Sequence, residues 1–162
     1  SSSSNKYHPI WQNKKAGILR NTTECCLAVN RQLRIYKEFC DEKDEVLPRP
    51  RDIVLAATIL SDIFKYDKET LNGEEILSEG KTSRNHGKTA ANIWLSYAAK
   101  HGVEKSAKRE IFQATYWHLG RWTEGWTSET KFSLLTEIVH RIDMIFSEKS
   151  LEITFTPKRA IE

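Results

Sequence analysis

No run of about 18 consecutive apolar residues occurs in this 162-residue chain, so no membrane-spanning helix is expected. The opening serines, Ser1 to Ser4, have neither the basic region nor the apolar region of a secretory leader, and no targeting signal is read there. Cysteine is scarce and odd in number: Cys25, Cys26 and Cys40 form no CxxC pair and no disulfide framework, which favours a reducing, cytoplasmic setting. Charge of one sign is missing too. With 25 basic and 22 acidic residues the net charge is +3, too small to mark a nucleic-acid binder by itself, yet no obstacle to a phosphate-bearing ligand. Internal repeats are absent, and so are low-complexity tracts beyond the four serines. A chain of this length builds one domain with a real core.

What is present is helical periodicity. Cys26, Leu27, Val29, Leu33 and Tyr36 set a first helix over about Thr22 to Phe39. The charged segment Asp41 to Arg51, broken by Pro48 and Pro50, reads as a solvated connection. Ile53 to Phe64 is apolar around most of its circumference, the mark of a central and nearly buried helix. From Tyr66 to Asn85, Gly73, Gly80 and many polar residues predict a flexible loop, suited to a lid. Further helices are expected over about Gly87 to Lys100, with His101-Gly102 as C-cap, Val103 to Tyr116, and Glu129 to Glu148. Leu151 to Phe155 alternates like a short strand.

Four metal-capable side chains, Asp62, His86, His118 and Asp143, each fall in or beside one of these helices. A carboxylate at Asp62, inside an apolar run, is costly unless a cation or strong donors meet it. A helical scaffold can bring such residues to one hydrolytic metal site, whereas each alone has an ordinary reading. Asp62 can cap its helix or pair with Lys65, His86 can cap the next, and His118 can pack between Trp117 and Leu119. His140, at i,i+3 from Asp143, is expected to pack or to hydrogen-bond behind the site. Ser61 has no His-Asp partners in sequence and is not read as a nucleophile. Trp94 and Trp117 are expected in the core, His8, His101 and the run Lys105 to Glu110 at the surface, and Cys25 and Cys26 as inert thiols.

The stretch Leu55 to Lys65, containing AATILSDIFK, resembles the core motif of the HD-domain metal-dependent phosphohydrolases, in which an apolar helix ends in a His-Asp pair followed closely by Lys. The likeness extends to Asn85-His86-Gly87, to Trp117-His118-Leu119-Gly120-Arg121-Trp122, and to Glu137-Ile138-Val139-His140-Arg141-Ile142-Asp143. Order and spacing are similar to the small stand-alone HD proteins of bacteria and phages. The resemblance covers residues 15–155, leaving 1–14 as an N-terminal extension and 156–162 as a tail. It implies an all-α, HD-like bundle of about five main helices with a short C-terminal strand. It also implies one divalent metal, drawn from Mn, Fe, Co, Ni, Zn or Mg, held by Asp62, His86, His118 and Asp143.

The departures from the family pattern bear on function. Where the family has a His on the first helix and the His of the HD pair, this chain has Asn21 or a neighbour and Ser61, poorer ligands for the softer metals. One metal is therefore expected rather than two. The activity implied is hydrolysis of a phosphate ester in a nucleotide or at the end of a single-stranded nucleic acid. In that role Asp62, Lys65 and Asp143 form the catalytic set, with Arg84, Lys88 and Arg121 on phosphates and Trp122, beside Trp126, stacking on a base. The alternative is a degenerate HD domain that has lost catalysis and binds a nucleotide or a protein partner, such as a phage-encoded inhibitor. A helical nucleic-acid-binding domain without hydrolysis is a third reading, weakened by the modest net charge.

Overall fold

A computed structural model describes residues 17–40, 49–71, 74–82 and 85–147. Five α-helices build it: α1 (Gly17–Cys40), α2 (Pro50–Ser61), α3 (His86–Lys100), α4 (Lys105–Tyr116) and α5 (Leu134–Phe146). The all-α bundle expected from periodicity is what forms. Within the described residues, no helix is long and apolar enough to cross a membrane.

Helix α2 is the hub, touching α1, α3, α4 and α5. It starts with Pro50, whose missing N–H costs nothing in a first turn. Ile53, Val54 and Ala57 then meet Cys25, Val29 and Leu33 of α1, Ile111 and Ala114 of α4, and Leu135, Ile138, Val139 and Ile142 of α5. The expectation of a nearly buried helix is corrected at its far end. Ile59 and Ile63 are half exposed, and the helix stops at Ser61, so Ile63 and Phe64 lie in a turn. Helix α3 uses small residues, Ala90, Ala91 and Ala98, for close packing, and Trp94 anchors it to α4 by donating from Nε1 to the Lys108 carbonyl at 3.0 Å.

Helix ends follow local chemistry. At the end of α3, Gly102 takes φ +64° and Val103 N–H reaches back to the Ala98 carbonyl at 3.1 Å, the bond of a Schellman cap. Helix α5 begins at Leu134, later than the pattern predicts. Ser133 caps it by accepting from Thr136 N–H at 3.2 Å, while Thr127 and Thr130 close a separate turn just before.

The expected loop after α2 is instead an antiparallel hairpin of β1 (Tyr66–Leu71) and β2 (Glu74–Thr82). Leu71 pairs with Glu74, and the register shifts between Tyr66 and Lys68. Asn72-Gly73 between the two runs is a strong two-residue hairpin signal that a reading of glycine as a breaker passes over. The charge run on α4 also differs from expectation: Glu110 is buried, because it shares a helix face with Ala107 and Ala114. The connection 41–48, the strand expected over Leu151 to Phe155, His8 and Arg84 lie outside the described residues.

A candidate metal centre of one aspartate and two histidines

Three polar residues from three places in the chain meet inside the bundle. Asp62 is the C-cap of α2, His86 is the first residue of α3, and His118 lies in the turn after α4. All three are buried, with His118 fully enclosed. One ligand atom from each lies within 4.8 Å of the others, an arrangement able to hold a metal ion.

The protonation of this group follows from its backbone neighbours. His118 Nδ1 stands 2.8 Å from the Thr115 carbonyl oxygen, which only accepts, so Nδ1 must carry the proton. Nε2 of His118 is then a bare lone pair, and it faces His86 Nε2 at 3.0 Å. Burial pushes the His118 pKa down to about 3, helped by the charge of His86, and Asp62 opposes the shift only in part. A neutral imidazole fixed in this tautomer by a carbonyl is the form that binds metals. The spacing fits as well, since two neighbouring ligand atoms each about 2.1 Å from one ion stand about 3.0 Å apart in octahedral geometry.

Asp62 presents its two oxygens to different company. Oδ2 accepts from Lys65 Nζ at 3.0 Å and from Asn21 Nδ2 at 3.2 Å. Oδ1 is buried without a normal hydrogen bond and faces His86 Nε2 at 3.5 Å. Burial raises the pKa of the carboxyl, but the Lys65 ammonium, with the His86 and His118 rings nearby, outweighs it and holds Asp62 well below the usual carboxylate range. Asp62 is therefore an anion with one under-satisfied oxygen turned toward two imidazoles. The donor set and the orphaned oxygen fit a divalent transition metal.

Glycine makes room for the histidines. A Cβ on Gly87 would lie 2.7 Å from His118 Cε1 and 2.9 Å from the Thr115 carbonyl. Gly120 takes φ +55°, and a Cβ there would meet the His140 ring. His140 Nδ1 donates to the His118 carbonyl at 2.8 Å, so the hydrogen-bonding role expected of it behind the site is present. Neither glycine contact is visible in a motif, although Gly87 and Gly120 stand within two residues of His86 and His118.

The other expected site residues are distributed differently. Asp143 is buried on α5 but belongs to a neighbouring cleft, lined also by Asn21, Cys25, Ser61 and Asp62, rather than to the Asp-His-His group. Ser61 Oγ donates to the Ala57 carbonyl at 2.7 Å, which accounts for its hydroxyl without a nucleophilic role. Lys65, expected to meet a phosphate, is buried in its ion pair with Asp62. Lys88 is half exposed, 3.6 Å from Glu124 across a shallow cleft that also reaches His118. Arg121 stacks over the Trp122 ring at 4.4 Å, and both are exposed, as is Trp126. Cys25 is buried and Cys26 half-buried; burial raises the pKa of both thiols, which suits inert roles.

No family model matches the chain, and neither the curated proteins nor the solved structures searched contain a match. What fold and site define is thus a class by construction: an all-α bundle with a buried Asp-His-His group between its helices.

Proposed function

We propose that this protein is a one-metal, HD-type phosphohydrolase or phosphodiesterase acting on a nucleotide or on the end of a single-stranded nucleic acid. One observation carries the reading. Asp62 Oδ1, His86 Nε2 and His118 Nε2 converge in the interior, with the His118 tautomer imposed by Thr115 and the Asp62 oxygen left without a normal hydrogen bond. A bound divalent ion supplies acidified water and offsets charge on a phosphoryl oxygen. The chain's own residues would hold that ion, and Asp62, kept ionised by Lys65, would supply the anionic ligand through its other oxygen. The half-exposed Lys88 and the Arg121–Trp122 stack flank the segments that carry His86 and His118 and offer cationic and aromatic surface to a phosphate and a base.

A second reading is favoured by a specific observation. Asn21 and Ser61, where the HD pattern has imidazoles, are tied into the protein by hydrogen bonds to Asp62 and Ala57. A degenerate domain that binds a nucleotide or a protein partner without catalysis would look like this on that side. Metal analysis of protein purified without chelator, followed by hydrolysis assays with Mn²⁺, Mg²⁺, Co²⁺ and Ni²⁺, separates the two. The enzyme shows near-stoichiometric metal and metal-dependent phosphate release that His86→Ala and Asp62→Ala abolish. A folded protein with no metal and no turnover that still binds nucleotide or partner is the degenerate domain.

A further inference from the structure

Beside the Asp-His-His group, Asp62 and Asp143 share a buried cleft with Asn21, Cys25 and Ser61. Two carboxylates in one buried cleft call for positive charge, and here the chain provides it. Lys65 is 7% exposed and places its ammonium 3.0 Å from Asp62 Oδ2. Asn21 adds a second donor to the same oxygen, at 3.2 Å. An ion bridging through Oδ2 would have to displace both donors and sit at contact distance from an ammonium that has no water to screen it.

We propose that Lys65 fixes the capacity of this centre at one divalent ion: its ammonium, aided by the Asn21 amide, holds the Asp62 oxygen that a second ion would need, leaving Oδ1 for the ion held with His86 and His118. Lys65 is on this account a positioning residue standing in for a second cation. The proposal rests on the metal-binding part of the functional reading above, and its test is chosen so that the two fail differently.

The test is metal stoichiometry after equilibrium dialysis of the full chain against Mn²⁺, read by elemental analysis and native mass spectrometry. The expected counts are one ion per chain for the wild type, one for Lys65→Arg, which keeps the charge, and two for Lys65→Met, which keeps the length. Asp143→Asn added to Lys65→Met returns the count to one, locating the extra ion. Lys65→Gln serves if Lys65→Met does not fold, with circular dichroism as the check, and it too should take two ions. Two ions in the wild type, or one in both neutral variants, overturns the role of Lys65 while leaving metal binding intact. No ion in the wild type overturns the metal reading and this proposal with it.

Discussion

The two oxygens of Asp62 divide the interior into regions of opposite character. On the Oδ2 side, Lys65 and Asn21 donate to that oxygen and Ser61 is bonded to its own helix, so the demand of Asp62 itself is met there within the protein. On the Oδ1 side, two imidazoles meet edge to edge at 3.0 Å with a carboxylate oxygen that lacks a normal hydrogen bond. A structure built only for stability would be expected to satisfy both sides, because an unmet buried polar group costs about 1–3 kcal/mol. On the His side, the group that could hold a metal ion is also the one whose carboxylate oxygen the protein leaves without a normal hydrogen bond. The asymmetry separates two meanings of a buried charge, one answered by a lysine and one left facing ligand-capable nitrogens.

The sharpest way to break this comparison is to remove the shared carboxylate. Asp62→Ala should abolish metal binding in titration calorimetry and, by stranding the Lys65 ammonium, lower unfolding stability by about 3–5 kcal/mol in urea titrations. Gly87→Ala attacks the His side alone. Its Cβ would press on the His118 ring and the Thr115 carbonyl, so we expect a loss of up to about 3 kcal/mol and weaker metal binding, with the Lys65–Asp62 pair undisturbed.

Acid distinguishes the two sides in another way. His118 is held neutral with its pKa near 3, while an unfolded histidine titrates near 6.5, so the unfolded chain takes up a proton that the folded one refuses. Stability from this group is complete at neutral pH and falls as pH drops below about 6.5. In metal-free protein the loss between pH 7 and pH 5 should be about 2 kcal/mol, and a His118→Gln variant should lose that much less over the same interval. Asp62, whose pKa is depressed, contributes fully throughout this window and is affected only below about pH 4. The smallest effect is expected outside both regions. Lys88→Ala breaks an exposed pair with Glu124 and should change stability by less than about 1 kcal/mol in the same urea assay, while weakening phosphate-bearing ligands if the proposed substrate class is right.

Much of the scaffold was legible in the sequence because helix periodicity reports burial directly. Val29 and Leu33 of α1 and Ile53 and Val54 of α2, marked by the pattern, are in the core, whereas Leu27, marked with them, is exposed; Asp62, His86 and His118, read as candidates, do converge. What sequence could not supply was company. The pairing of Asp62 with Lys65 was among the readings the sequence offered and it forms, but nothing in the order of residues says that Asp143 sits in the neighbouring cleft or that Thr115 lends its carbonyl to His118. Glu110 was misread because a charged residue was judged by its neighbours in sequence instead of its phase on the helix. The hairpin of β1 and β2 was misread for the opposite reason: Asn72-Gly73 was weighed as composition when its position between two runs was the informative part.

The central claim is that the Asp62 oxygen left without a normal hydrogen bond and the two imidazoles form one metal site. Its most direct test is anomalous diffraction from crystals soaked in Mn²⁺ or Zn²⁺. The account predicts a single strong peak about 2.0–2.3 Å from Asp62 Oδ1, His86 Nε2 and His118 Nε2. A soaked crystal with no peak there, in which the His86–His118 contact persists unchanged, would contradict it.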